Sequence, residues 1–245
     1  MRIRYGYIVE TQMIERQRIE QEYQRRACNS AYSTLYTVLN PASLHALHSR
    51  ERALLALLRR HGITDLTIMR VLDIGCGSGG ELLRWIGYGC TPAHCVGIDL
   101  MPDRIARARQ RLPEAVQLQR GDASLLPYPD ASFDIITQFT VFSSILEPCM
   151  RQAIAAEMLR VLCPGGMIVW YDFWLNPTNQ QTQGIHLNEI KRLFPNCHYD
   201  PRCITLAPPL ARRIVPHSWL FASLLEKLPL RTHWLVGIRK PVSTQ

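Results

Sequence analysis

No apolar run in this chain approaches the roughly 20 residues needed to cross a bilayer. The opening residues MRIRY carry basic charge with no apolar core behind them, unlike a secretory leader. A membrane-spanning or exported protein is therefore not expected, and a cytoplasmic one is. Repeats and low-complexity stretches are lacking as well. The eight cysteines (Cys28, Cys76, Cys90, Cys95, Cys149, Cys163, Cys197 and Cys203) include no Cys-x-x-Cys pair, and no His-x-x-x-His follows one. That removes the usual zinc and redox frameworks, so no metal is expected. Several of these cysteines sit in apolar runs and read as small buried hydrophobes in a reducing compartment. Charge of one sign is not scarce: Lys and Arg number 28 against 20 Asp and Glu, a net charge of +8. Such a balance suits an anionic partner. The bases are scattered, however, with Arg16, Arg18, Arg25, Arg26, Arg59, Arg60, Arg104, Arg107, Arg109 and Arg111 among them. They read as solvated helix faces rather than as a nucleic-acid footprint.

With 245 residues the chain is long enough for one sizeable core. Residues 11–27 read as a polar helix. Residues 43–61 read as an amphipathic one, its apolar face made by Leu44, Leu47, Leu54, Leu55, Leu57 and Leu58, with Gly62 ending it. Residues 1–68 thus form a helical cap ahead of a second unit, 69–245. From residue 69 the pattern alternates. Strands are expected at 71–74, 95–100, 116–119, 133–138 and 167–171, with helices at 81–87, 103–111 and 150–162. A further strand at 203–206, a helix at 218–227 and a last strand at 233–239 follow. Alternation of this kind predicts an α/β fold: a mostly parallel sheet with helices on both faces.

The run VLDIGCGSGG at 71–80 carries the strongest chemical signal. An apolar strand delivers the chain to a loop with Gly75, Gly77 and Gly79, where bare backbone can turn tightly and touch a ligand. The next helix aims its first amides at that ligand. Gly75, Gly77 and Gly80 also fit the dinucleotide pattern G-x-G-x-x-G, and Asp99 ends the following strand where a ribose-binding acid belongs. Those residues by themselves fit a nicotinamide dinucleotide or another adenosyl ligand equally.

Over residues 69–173 the chain resembles the class I S-adenosylmethionine (SAM)-dependent methyltransferases. Asp73 with Gly75, Gly77 and Gly79 matches the family's first motif, D/E-x-G-x-G-x-G. GIDLM (97–101) matches the second, RGDA (120–123) the element after the third strand, FDII (133–136) the fourth strand, and LRVLCPGG (159–166) the turn before the fifth. The resemblance implies a Rossmann-like open sheet of seven strands, SAM as cofactor and a small-molecule acceptor. It gives Asp73, Gly75, Cys76 and Gly77 to the methionine end of SAM and Asp99 to the ribose hydroxyls. Leu100 and Met101 go to the adenine face, Asp122 and the Ala123 amide to the adenine edge, and Gln138 lies near the transferred methyl.

On the acceptor side, His186 is the candidate base and Asp172 a candidate acid–base group, in the loop after the fifth strand. Tyr171, Trp174 and residues 176–186 lie in the same region. Tyr23, Arg26 and Tyr32 of the cap are expected to cover the site. The tail is loosely similar to methyltransferases that tailor sugars or secondary metabolites by O-methylation, and a homodimer is allowed. Three rivals remain. The first is a nucleic-acid methyltransferase using Cys149, although the Asn/Asp-Pro-Pro-Tyr motif and an RNA-binding domain are missing. The others are an NAD-dependent oxidoreductase and a non-enzymatic protein that keeps the SAM-binding fold.

Overall fold

The computed structural model describes residues 2–29, 34–35, 37–176 and 179–242, with side chains from residue 11 onward. Helix α1 spans Arg2–Ala27 and α2 spans Pro41–Arg60. The start of α2 is dictated locally: the Asn40 side chain accepts from the Ala42 amide, and Pro41 takes the first helical position, where no N–H is needed. Its end follows the glycine expectation. Gly62 adopts φ +71°, and the Ile63 amide donates back to the Leu58 carbonyl, closing a Schellman turn.

The strands are β1 (Val71–Ile74), β2 (Cys95–Asp99), β3 (Gln117–Arg120), β4 (Phe133–Phe139), β5 (Leu162–Phe173), β6 (His198–Leu206) and β7 (Arg231–Arg239). Between them run α3 (Gly80–Gly87), α4 (Pro102–Arg111), α5 (Pro148–Val161), α6 (Leu187–Leu193), α7 (Pro208–Ile214) and α8 (Trp219–Leu225). The sheet order among the described residues is β3-β2-β1-β4-β5-β7-β6. The first five strands pair in parallel, and β7 is antiparallel to both neighbours. The open, mostly parallel, seven-stranded α/β sheet is therefore present. Order reverses between β1 and β4, which opens a crevice at the carboxyl edge, where such sheets bind ligands.

Each sheet face has its own core. Leu72, Ile74, Ile136, Ile168 and Trp170 pack with α5 and with Ile19 of α1. Val71, Ile135, Met167 and Val169 pack with Trp85 and with Leu54, Leu57 and Leu58 of α2. The cap's second helix thus shares a core with the sheet.

Some expectations shift. β5 begins at Leu162, because Leu162 pairs with Phe133 before a register break puts Met167 opposite Ile135. The glycine turn at 165–166 is that break, and Gly165 has φ +75°. β6 begins at His198, not at 203; it is an edge strand, which is where its Pro201 can be accommodated. Helix α7 was not foreseen. Only Cys76, Cys90 and Cys95 are buried, while Cys28 and Cys149 are exposed, so the buried-hydrophobe reading holds for three of the eight; all eight are free thiols.

The solvated-face reading of the bases also needs correction, because long-range partners hold several arginines. Arg16 pairs with Asp122. Arg151, 2% exposed, donates to the Ile145 carbonyl at 2.7 Å, Glu189 at 2.6 Å and Gln183 at 2.9 Å. It clamps the segments that follow β4 and β5. Arg151→Met should therefore lower unfolding stability by about 2–4 kcal/mol in urea titration, because Ile145 and Gln183 lose a buried donor. A change under about 0.5 kcal/mol would make the clamp ornamental.

Candidate cofactor and acceptor site

The glycine loop leaves β1 with three consecutive odd-numbered glycines in the left-handed region: Gly75 at φ +67°, Gly77 at +55° and Gly79 at +78°. Gly80, the dinucleotide pattern's third glycine, has an ordinary backbone. A Cβ on Gly75 would stand 2.5 Å from Val141, whereas one on Gly77 would meet only the tip of Arg104, at 3.7 Å. The backbone at Gly77 is thus open to a ligand. The Gly75 and Cys76 amides both donate to the Ile98 carbonyl, which pins the loop to β2. Cys76 turns inward: its thiol lies against Gly97, and burial pushes its pKa up. It shapes the loop with its side chain away from any ligand.

Asp99 ends β2 and is 6% exposed. One carboxylate oxygen accepts from the Gly77 amide and the other from the Met101 amide, both at 2.8 Å. Each oxygen keeps lone-pair capacity for one more donor, which is what a vicinal diol needs. The Gly121 amide donates to the Asp99 carbonyl at 3.0 Å, so the chain end carrying Asp122 lies directly beside Asp99. Asp122 accepts from the Ser124 amide at 2.7 Å, and its other oxygen pairs with Arg16. Met101 is buried, while Leu100 and Ala123 are partly buried against the core.

Asp73 is buried at the end of β1 and accepts from Thr137 Oγ1 at 2.6 Å. Burial pushes its carboxyl up to about 8; the Thr137 bond opposes this, and nearby Glu81 and Asp99 add to it. Three carboxylates around a bare loop fit a ligand that offers an ammonium, a sulfonium, a diol and an aromatic amine. The sign for pH follows. Asp73 holds its proton below about 8, and a cationic amine nearby favours the ionised form, so binding releases the proton. Affinity for S-adenosylhomocysteine should rise from about pH 6 to about 8, by at most about tenfold per unit. Calorimetry on Asp73→Asn should give weaker and flatter binding. An unchanged slope in that variant would assign the titration elsewhere.

Gln138 pairs in register with Ile74, just before the glycine loop. It is fully buried and accepts from the Val141 amide at 3.1 Å, so it forms the turn that seats Val141 over Gly75. Asp172 is fully buried as well, and its oxygens accept from the Ser143 and Phe173 amides, both at 3.0 Å. Burial pushes it up to about 7, with the Ser143 hydrogen bonds opposing. Asp172 therefore ties the segment after β4 to the end of β5. The Gln183 amide completes the tie by donating to the Ser143 carbonyl at 2.8 Å. His186 is exposed at the N-cap of α6, without a side-chain capping bond, its ring centre 6.1 Å from that of Trp174. Cys149 is exposed in the first turn of α5, its amide donating to Glu147.

Residues missed in the sequence lie on α1. Glu15 accepts from the Leu146 amide, and Arg18 donates to the Ser144 carbonyl at 2.6 Å. Tyr23 bonds Ser144 at 3.2 Å, and Arg104 stacks over the Tyr23 ring at 4.1 Å. The helix thus packs against the segment after β4 through Glu15, Arg18 and Tyr23, while Arg26 pairs with Glu22 of its own helix and Tyr32 falls outside the described residues. A usable signal was Ile19 and Tyr23, one turn apart in the polar second half of the helix.

A methyltransferase-domain family model matches residues 72–170. A probable chloroplastic tocopherol O-methyltransferase of Oryza sativa subsp. japonica is 35% identical over 133 residues, 50% of this chain and 35% of that protein. A demethylmenaquinone methyltransferase of Deinococcus radiodurans is 36% identical over 107 residues, 42% of this chain and 43% of that one. The chain therefore spans less than half the length of these relatives. The fold is shared with an S-adenosylmethionine-dependent methyltransferase from Mesorhizobium loti: TM-score 0.53, 18% identity, 76% of this chain and 96% of that one. Residues 72–170, which contain Asp73, Asp99, Asp122 and Gln138, therefore match a methyltransferase domain, in line with the resemblance to class I SAM-dependent methyltransferases drawn from the sequence.

Proposed function

We propose that this protein transfers the methyl group of SAM to a small-molecule acceptor at the carboxyl edge of the sheet. The observation that carries this reading is Asp99, with each oxygen holding one backbone amide and keeping room for a hydroxyl. Bound SAM supplies an electrophilic methyl on a sulfonium, open to in-line displacement, so the chain's task is alignment and exclusion of water. Asp99 holds the ribose. Asp122 and the Ala123 amide read the adenine edge, and Leu100 and Met101 pack on its face. Asp73 and the backbone of 75–77 hold the methionine end, and Gln138 fixes the turn beside it. The cap, 1–68, closes over the unit 69–245.

On the acceptor side His186 is free to take a proton from a hydroxyl, and Asp172 positions the segment that carries Ser143. Tocopherol and menaquinone, in the relatives' names, are apolar ring compounds. They favour a phenol or quinol acceptor over the sugar suggested by the tail. Eight unbridged cysteines suit the cytoplasm. Incubation with radiolabelled SAM and a panel of quinols, phenols and sugars tests the reading. Label in a quinol or phenol is the expected result; label confined to RNA or protein would end it.

A further inference from the structure

The segment between β6 and β7 stands on the same carboxyl edge as the site, because β6 ends at Leu206 and β7 starts at Arg231. Its inner side is satisfied: Ala211, Val215 and Ala222 pack on Leu206 and on Ala42 of α2. Its outer side is not. Leu220 is 73% exposed, Phe221 53%, Leu224 48% and Leu228 49%, with Trp219 at 40% beside them. Leu220 and Leu224 lie one turn apart on α8 and share a face with Phe221, and Leu228 follows in the turn after the helix. Five large apolar side chains in ten residues are not the scattered exposure of an ordinary surface.

The charge around this ridge has one sign. Arg212, Arg213 and Lys227 are exposed, and the only acid between residues 207 and 230 is Glu226. Glu226 turns inward, accepting from the Leu206 amide at 3.2 Å and lying 3.7 Å from His45. Next to the ridge a cleft of about 300 Å³ between α2 and β6 is lined by Ser49, Arg52, Thr205, Glu226 and Arg231 among others. Arg231 Nε is buried there without a hydrogen-bond partner. An apolar ridge flanked by bases, beside a guanidinium whose buried Nε has no acceptor, is complementary to a surface that is apolar inside and anionic at its rim.

We infer that the α7–α8 segment docks this protein on an anionic lipid bilayer, with Leu220, Phe221, Leu224 and Leu228 entering the acyl boundary and a lipid phosphate meeting Arg52 and Arg231. A second copy of the chain is disfavoured as occupant, since a two-fold contact would set Arg212, Arg213 and Lys227 against their own copies. Docking this way turns the carboxyl edge toward the membrane, so an acceptor dissolved in the bilayer reaches the site without crossing water. The docking does not rest on the methyl-transfer reading, because vesicle binding is read without turnover.

Cosedimentation of the full chain with phosphatidylcholine vesicles, with and without phosphatidylglycerol, tests the inference. Binding should require phosphatidylglycerol and weaken with salt. The Leu220→Asp/Phe221→Asp pair should reduce it by at least about tenfold at an unchanged melting temperature, since both side chains are exposed. Arg212→Glu/Arg213→Glu should remove the preference for phosphatidylglycerol while α8 stays intact. Failure to sediment with phosphatidylglycerol vesicles overturns the docking. So does binding that neither pair alters. A dimer by light scattering that the first pair splits, with no vesicle binding, would give the ridge to a second copy instead.

Discussion

Asp99→Ala is expected to cost this protein about two to four orders of magnitude in affinity for S-adenosylhomocysteine. Both oxygens of Asp99 already hold backbone amides at 2.8 Å, so the carboxylate cannot rotate away from the crevice. Two hydroxyls donating to it contribute about 1.5–3 kcal/mol each, because the acceptor is charged and nearly buried. Their loss together is about 3–6 kcal/mol, which is the stated range in Kd. The substitution also frees the Gly77 and Met101 amides, so some loop order is lost with the ribose contacts. Asp99→Asn separates the two effects. It retains one carbonyl acceptor for the loop but presents an NH2 where an acceptor is needed, so it should keep most of the thermal stability and lose most of the affinity. Calorimetry and thermal melting on both variants give the answer. Binding by Asp99→Ala within about threefold of the parent would remove Asp99 from the ribose site and the methyl-transfer reading with it.

The geometry of the glycine loop was legible because its demands are local. A left-handed backbone at residues 75, 77 and 79 leaves glycine as the residue without a steric penalty, and the alternation of strand and helix places Asp99 at a strand end. Asp99 and Asp122 could therefore be placed from sequence, and the Gly121 amide on the Asp99 carbonyl brings them side by side. What covers the crevice was not legible in the same detail. Glu15 reaches the Leu146 amide across 131 positions and Arg18 reaches Ser144 across 126, and ion pairs or hydrogen bonds at such separations leave no period in the chain. Helix α7 was not foreseen; Pro208 and Pro209 occupy its first turn, where proline is welcome. Asp172 shows a different gap. Its residue type fits acid–base chemistry, while its full burial and two amide partners leave no mark in the sequence.

Gly79 completes the methyltransferase motif and Gly80 the dinucleotide pattern, and alanine at each tells the two apart. Gly79 has φ +78°, and a Cβ there would stand 2.5 Å from Leu112 Cδ1 and 2.9 Å from its Cγ. The left-handed backbone costs a non-glycine residue about 1–2 kcal/mol. Overlap with a buried leucine adds about 1–3 kcal/mol. Gly79→Ala should therefore destabilise by about 2–5 kcal/mol, lowering the melting temperature by about 4–20 °C in a chain of this size. Gly80 begins α3 with an ordinary backbone, and a Cβ there meets only Arg84 Nη1, at 3.6 Å. Gly80→Ala should be neutral or stabilising by up to about 1 kcal/mol, since alanine restricts the unfolded chain more. A dinucleotide loop demands the reverse, because its last glycine permits close packing of helix on strand. The two costs at Gly79 can also be told apart. Leu112→Ala in the Gly79→Ala background removes the overlap but not the backbone strain, so it should return part of the loss beyond what Leu112→Ala alone predicts. Additive losses in the double variant would mean that Leu112 does not set the glycine requirement, leaving the left-handed turn as its whole cause.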